Sequence, residues 1–256
     1  MKRLLFFDVD GTLYDSDKKL PNSAKKAIFK AREKGHEIAI ATGRAPFMIK
    51  DILDELQIDT YVTFNGQYVV YKGEVIYTNQ IVNEMLATIL KFGSQRNHPF
   101  VFLNEKEMIA TAGDYESIEQ SLATLYFPYP QIDASYYMHT PVYQTLIFIN
   151  EQEQPIYEQQ FPEVQFVRWH SQSCDMLPKG GSKANGIKKL LEHTGLSEEQ
   201  IVTFGDGLND VEMLSEFPQS VAMGNGHKKA KKAASMITAH VDEDGLAIAM
   251  EKLKLV

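Results

Sequence analysis

The chain has 256 residues, with 26 basic and 34 acidic side chains and so a formal net charge of −8 at pH 7. That length suits one large domain or two modest ones, and an apolar fraction of 44% can fill a sizeable core. The negative balance argues against a dedicated nucleic-acid binder, which needs basic surface to meet phosphate backbones. Small phosphorylated ligands stay open, since one local cationic pocket is enough for them. The single cysteine, Cys174, rules out an intrachain disulfide and a Cys-based zinc site, and fits a reducing compartment. The first apolar run stops at Asp8, too short for a secretory signal, and no apolar run is long enough to span a bilayer. A soluble, cytoplasmic protein without a membrane segment is expected.

In chain order, Leu4 to Phe7 is a short apolar run bounded by charge and reads as a buried strand. Pro21 to Lys34 has helical spacing, with Ala24, Ile28 and Ala31 on one face, Asn22 or Ser23 as cap and Gly35 after it. Glu37 to Ala41 is a second strand, Pro46 to Leu56 a helix and Tyr61 to Phe64 a third strand. Tyr68 to Tyr71 and Val75 to Tyr77 flank Lys72-Gly73, a hairpin turn. After about residue 80 the texture changes. Helices are expected at Asn83 to Asn97, Asp114 to Leu125 and Gln152 to Gln160. Strands are expected at Phe100 to Leu103, Met108 to Thr111, Tyr143 to Ile149, Val164 to Trp169 and Ser173 to Leu177. Pro178, Gly180 and Gly181 then punctuate the chain. Alternation resumes with helix 182–194, strand 201–204, helix 208–216, strand 219–223, helix 227–234 and a last helix from about 243.

The expected fold is therefore α/β, a Rossmann-like core with a mainly parallel sheet and an inserted α+β domain. The core takes residues 1–82 and 179–256, and the insert takes 83–178. Asn79 to Asn83 and Pro178 to Ser182 are hinge candidates.

Phe7-Asp8-Val9-Asp10-Gly11-Thr12 puts two carboxylates two residues apart at the carboxyl end of a buried strand. Residues i and i+2 of an extended segment face one side, and that end of a parallel sheet is where ligands bind. Converging carboxylates repel unless a cation or a shared proton neutralises them. Taken alone, the motif also reads as an ordinary turn with solvated acids. Gly205-Asp206-Gly207-Leu208-Asn209-Asp210 follows the strand Ile201 to Phe204 and falls short of the dinucleotide fingerprint. An Asp or Asn there commonly caps a helix. Together with Asp8 and Asp10, however, these acids would make a hard-oxygen site suited to Mg2+. Ala41-Thr42-Gly43-Arg44 offers a hydroxyl, backbone N–H groups and a guanidinium that suit a phosphate, or a plain strand-to-helix turn. Lys183, after Gly180-Gly181-Ser182, is a cation in a first helical turn, against the macrodipole.

These four elements, in this order and spacing, resemble the haloacid dehalogenase superfamily, and more closely its Cof-type phosphatases with a large inserted cap (type IIB). Asp8-Val9-Asp10-Gly11-Thr12, Thr42-Gly43-Arg44, Lys183 and Gly205-Asp206-Gly207-Leu208-Asn209-Asp210 match the four motifs. Phe64-Asn65-Gly66, Met223-Gly224-Asn225 and Glu243-Asp244-Gly245 resemble further segments of that subfamily. The resemblance implies an aspartyl-phosphate on Asp8, with Asp10 as general acid and then base. It implies Mg2+ held by Asp8, the Asp10 carbonyl and Asp206, with Asp210 anchoring the outer shell. Thr42, Gly43, Arg44, Lys183 and Asn209 would bind the phosphoryl group. Arg44 stands equally as a specificity residue or as half of a structural salt bridge. The implied substrate is a small phosphorylated metabolite: a sugar phosphate, a nucleotide or a phosphorylated cofactor. A monomer or a weak homodimer is expected, and the charge and the lack of a long apolar run leave neither nucleic acid nor membrane as an expected partner.

Other residues read as ordinary. His36, His193 and His240 show no zinc spacing. Lys228, Lys229, Lys231 and Lys232 read as the solvated face of a short helix, and Cys174 as a small semi-buried side chain. Tyr126-Phe127-Pro128-Tyr129-Pro130, with Tyr136-Tyr137, is either packing, a dimer contact or a wall over the leaving group. Two rivals remain: a phosphomutase using the same two aspartates, and a phosphometabolite-binding protein without turnover. A 2-haloacid dehalogenase is disfavoured because such enzymes typically lack the second aspartate.

Overall fold

The computed structural model describes residues 2–256. Contacts divide the chain into two compact units. The first comprises the chain up to Arg44, Met48–Tyr77 and Ser182–Val256. The second comprises Ala45–Phe47 and Thr78–Gly181.

The first unit opens with β1 (Leu4–Phe7), α1 (Asn22–Glu33), β2 (Glu37–Ala41), α2 (Lys50–Leu56), β3 (Tyr61–Thr63), β4 (Tyr68–Tyr71) and β5 (Glu74–Thr78). The second unit supplies α3 (Asn83–Ser94), β6 (Phe100–Leu103), β7 (Met108–Ala110), α4 (Glu116–Ala123) and β8 (Gln131–Ile132). It continues with β9 (Gln144–Ile147), α5 (Gln154–Gln160), β10 (Val164–His170) and β11 (Ser173–Pro178). The first unit then resumes with α6 (Lys183–Thr194), β12 (Ile201–Gly205), α7 (Val211–Glu216), β13 (Gln219–Ala222), α8 (Lys228–Ala233), β14 (Met236–Ile237) and α9 (Gly245–Lys252).

The eight strands of the first unit run in the order β14-β13-β12-β1-β2-β3-β4-β5. From β14 to β3 neighbours are parallel, and β3 pairs antiparallel with β4. The Leu4 to Phe7 run is apolar at every position because both faces are covered. Leu5 and Phe7 join one buried cluster, and Leu4 and Phe6 join the other. From β1 the chain goes to β2 on one side, and it returns through α6 to β12 on the other. The carboxyl end of β1 is therefore a topological switch point, the place where open α/β sheets bind ligands.

The second unit is a six-stranded sheet, β10-β11-β9-β6-β7-β8, antiparallel except between β7 and β8. Leu86 and Ile89 of α3 and Tyr157 of α5 pack on Phe100, Phe102, Ile147, Cys174 and Met176 from one face of that sheet. The α/β class with a mainly parallel core sheet, expected from the alternation, is what the structure shows.

Local departures have local causes. α1 is entered through Pro21, whose fixed φ of −61° supplies the extended entry, and no side chain caps it, so neither Asn22 nor Ser23 does that work. The expected helix over Pro46 to Leu56 breaks at Ile49 (φ −115°, ψ 7°) into a 3-10 turn and α2. The helix expected from Asp114 starts at Glu116 because Asp114 is left-handed, at φ 62°. Strands β8 and β14, of two residues each, carry too little pattern to be read beforehand.

Candidate active site

The site is built where β1, β2 and β12 end side by side. The β1 ladder continues into Asp8, whose N–H donates to the Phe204 carbonyl at 2.9 Å. The chain then turns back, with Leu13 and Tyr14 N–H groups donating to the Val9 carbonyl. Gly11 makes that turn at φ 75°, and a Cβ there would lie 2.5 Å from Asp206 Oδ2. Glycine is thus required twice, for the backbone and for the space.

Lys183 opens α6, behind a Ser182 cap that accepts from Asn185 N–H at 3.1 Å. Its side chain is fully buried, and Nζ donates to Asp8 Oδ1 and to Asp210 Oδ1, each at 2.6 Å. The second Asp210 oxygen accepts from the Asp206 and Gly207 N–H groups at 2.8 and 2.7 Å. Both Asp210 oxygens are therefore committed. Gly205 makes room for that carboxylate, since a Cβ there would lie 2.5 Å from Asp210 Cγ. The Asp206 carboxylate is held more loosely, by the Thr12 hydroxyl at 3.3 Å and by Asn225 Nδ2 at 3.4 Å. Asn225 Nδ2 also donates to the Gly11 carbonyl at 2.8 Å, and its Oδ1 accepts from Val241 N–H.

Asp8, Asp206 and Asp210 present carboxylate oxygens that all lie within 4.8 Å of one another. The donor set is all hard oxygen, which suits a cation of the Mg2+ class. Fully ionised, the three carboxylates against one ammonium would carry two net negative charges, the complement of a divalent ion. Asp210 already accepts three hydrogen bonds, which leaves Asp8 and Asp206 the freer carboxylates of the trio.

Burial pushes the Asp8 carboxyl well above the usual carboxylate range. Lys183 opposes that shift, and Asp210, Asp206 and Asp10 add to it. Burial and the Asp210 charge push Asp206 up to about 6, against Lys183 and the Thr12 hydrogen bond. Lys183 moves upward, because its two carboxylates outweigh the burial that opposes its charge. The cluster is thus short of positive charge, the state a bound cation relieves.

Asp10 faces elsewhere. Arg44 holds it with two parallel bonds, Nε to Oδ2 and Nη2 to Oδ1, both 2.7 Å, and Lys18 Nζ donates to Oδ1 at 2.6 Å. Burial favours the protonated acid, but Arg44 and Lys18 outweigh it and hold the Asp10 carboxyl below its ordinary value. In this structure the Arg44 guanidinium therefore forms a salt bridge, and the Asp10 carboxylate is outside the acidic trio. Thr42 is buried after β2, its hydroxyl accepts from Arg44 N–H at 3.1 Å, and Gly43 abuts Asn65. Asn209 Nδ2 donates to Asn65 Oδ1 at 3.1 Å.

Three residues at this site had no role from sequence: Lys18, Asn65 and Asn225. Asn65 and Asn225 lie in segments singled out for their resemblance. Lys18 carries no local signal, since its approach to Asp10 depends on a left-handed turn at φ 60°.

In the second unit the aromatic segment is largely tied into packing. Tyr129 donates to the Ala112 carbonyl at 2.8 Å, Phe127 meets Phe47 edge-on, and Tyr137 packs on Phe102. Tyr126 alone is largely exposed. Cys174 is fully buried. His36 and His240 accept backbone N–H groups, and His193 stacks edge-on against Tyr71. Among the described residues no helix is long and apolar enough to cross a membrane.

Residues 5–250 match the family model described as haloacid dehalogenase-like hydrolase. The Bacillus subtilis protein YkrA, whose name carries a provisional phosphatase assignment, is 41% identical over 253 residues, covering 99% of this chain and 98% of its own length. A crystal structure from Geobacillus kaustophilus is 42% identical with a TM-score of 0.95, each chain fully covered. The structure reported as the subclass IIB sugar phosphatase BT4131 is 31% identical with a TM-score of 0.88, again over the whole of both chains. A match of that extent, joined to the ordered aspartates and the buried lysine, shows that the chain belongs to the haloacid dehalogenase-like hydrolases.

Proposed function

We propose that the protein is a Mg2+-dependent phosphatase acting on small phosphorylated metabolites, with Asp8 as nucleophile and Asp10 as acid and base. The observation that carries this reading is the buried Asp8–Lys183–Asp210 chain beside Asp206 at the switch point of the sheet. A binding protein has no need of a desolvated carboxylate there, whereas a carboxylate nucleophile gains reactivity from it.

Lys183 engages one Asp8 oxygen, which leaves the other for phosphorus. Asp8 bonds to phosphorus as the bond to the leaving oxygen breaks, and the departing alkoxide takes a proton from Asp10, which can carry that proton once Arg44 and Lys18 turn from its carboxylate to the anionic substrate. In the second step water attacks phosphorus and gives its proton to Asp10, and Asp8 and inorganic phosphate separate. Asp8, Asp206 and the Asp10 carbonyl would hold the cation, with Asp210 fixing the backbone of the Asp206 loop. When bound, the cation neutralises the excess carboxylate charge and stabilises charge on the phosphoryl oxygens. Thr42, the Gly43 backbone, Lys183 and Asn209 would receive those oxygens. Arg44 orients Asp10 and is near enough to turn to an anionic substrate instead.

Sugar phosphates are the first substrates to try, a choice that the likeness to the sugar phosphatase BT4131 supports. The test is a panel of p-nitrophenyl phosphate, sugar phosphates, nucleotides and phosphorylated cofactors, assayed for both free phosphate and isomers. Free phosphate is expected. Isomer without free phosphate would make the protein a mutase, and binding without turnover would make it a binding protein.

A further inference from the structure

Phe64 and Asn65 are consecutive left-handed residues, at φ 51° and 49°, and Gly66 follows at φ 96°. Two such non-glycine residues in a row persist only where the surroundings over-determine them. All three are buried, and they brace three segments. The Asn65 N–H donates to the Thr42 carbonyl at 3.1 Å. Asn65 Oδ1 accepts from Asn209 Nδ2 at 3.1 Å. The carboxamide lies so close to the next loop that a Cβ on Gly43 would sit 2.9 Å from its nitrogen. A Cβ on Gly66 would collide with the Ser182 carbonyl, and one on Gly186 would lie 2.8 Å from Gly66 Cα, so the turn nests on the start of α6, which carries Lys183.

One strained turn thus joins the loops of Thr42, Lys183 and Asn209. We infer that Asn65 is a positioning residue for the phosphoryl group: its backbone fixes Thr42 and its carboxamide fixes Asn209, so affinity for phosphate depends on it. This rests on the phosphatase reading above, which assigns those groups to the phosphoryl oxygens. Asn65 supplies neither nucleophile nor proton. Its loss should weaken phosphate binding more than it slows the chemical step. A turn that served the fold alone would lower the melting temperature and leave phosphate affinity untouched.

Two substitutions separate these cases. N65G keeps the left-handed backbone and removes the carboxamide. N209A removes the same hydrogen bond from its other end and leaves the turn intact. The readouts are KM and kcat for p-nitrophenyl phosphate, the inhibition constant of inorganic phosphate, and the thermal shift that phosphate produces. Each single variant is expected to raise KM and the phosphate inhibition constant about tenfold, with kcat within about threefold. The N65G/N209A double should be no more than about twofold weaker than N209A, because the Asn65 carboxamide acts on the phosphoryl group through Asn209. Unchanged phosphate affinity in N65G, or effects that multiply in the double, would overturn the inference. If N65G fails to fold, N65A is read in its place, because N209A also removes an amide that the phosphatase reading puts on the phosphoryl group. A wild type that turns over no substrate would defeat the phosphatase reading, and the phosphate thermal shift would still decide the role of Asn65.

Discussion

Lys183 Nζ lies 2.6 Å from Asp8 Oδ1, in a contact from which the lysine is wholly shielded and the aspartate nearly so. An ion pair this buried stabilises little by itself, but removing one partner strands the other in a low-dielectric site. Lys183→Met would strand Asp8 and Asp210 together. It is expected to cost about 3–5 kcal/mol in unfolding free energy by denaturant titration. Lys183→Met combined with Asp210→Asn should recover part of that loss, because one stranded charge is gone. A neutral Lys183→Met would contradict the arrangement.

Asp206 is a carboxylate held at a disadvantage, with its pKa pushed up to about 6 from an ordinary 3.8. A raised folded-state pKa means that the folded chain binds this proton more tightly than the unfolded chain does. Its contribution to metal-free stability therefore falls as pH rises from about 4 through 6. Asp206→Asn should flatten that decline and stabilise the metal-free protein at pH 7 by about 1–2 kcal/mol. The same variant should lose the thermal shift produced by Mg2+. Wild type should show that shift strongly at pH 7 and weakly at pH 5. Melting curves with and without the ion, at both pH values, decide this.

Asp10 has the opposite sign. Its carboxyl is held low by Arg44 and Lys18, so the pair contributes stability above the ordinary carboxylate range and loses it as pH falls through the lowered pKa. The Asp10 side chain is 36% exposed, and solvent screening keeps the contribution small. Arg44→Met should cost about 1 kcal/mol or less at pH 7. The difference from wild type should shrink towards zero in strong acid. A gap that persisted unchanged in strong acid would show that Arg44 stabilises by packing instead.

Cys174 is fully buried, and burial pushes its thiol up to about 12. Thiols react as thiolates, so the native protein should resist iodoacetamide at pH 8 and be alkylated after denaturation. Rapid alkylation of the folded protein, read by mass spectrometry, would show that the second unit opens around β11.

Much of this was legible in the chain because it is local. The apolar run Leu4 to Phe7, with Asp8 directly after it, specifies both a doubly covered strand and a carboxylate at its end. Lys72-Gly73 announced its own left-handed turn, at φ 51° and 81°. What stayed hidden depends on contacts between segments far apart in sequence. Arg44 and Lys18 meet on Asp10 from 34 and 8 residues away. Asn65 and Asn209 meet across 144 residues. The cap of α1 was misread because Pro21 supplies by ring geometry what a polar side chain was expected to supply by hydrogen bonding. Phe64 in the left-handed region has no sequence signal at all; only the loops packed around it explain it.

The central claim is that Asp8 attacks phosphorus at a cation-dependent site. The most direct measurement is phosphate release from p-nitrophenyl phosphate by wild type and Asp8→Asn, each with Mg2+ and with EDTA. Release by wild type should require Mg2+, and Asp8→Asn should lose at least about 1,000-fold in rate, the scale on which removing a catalytic nucleophile acts. Circular dichroism should show the variant still folded. Release by Asp8→Asn at a rate near that of wild type would contradict the claim outright.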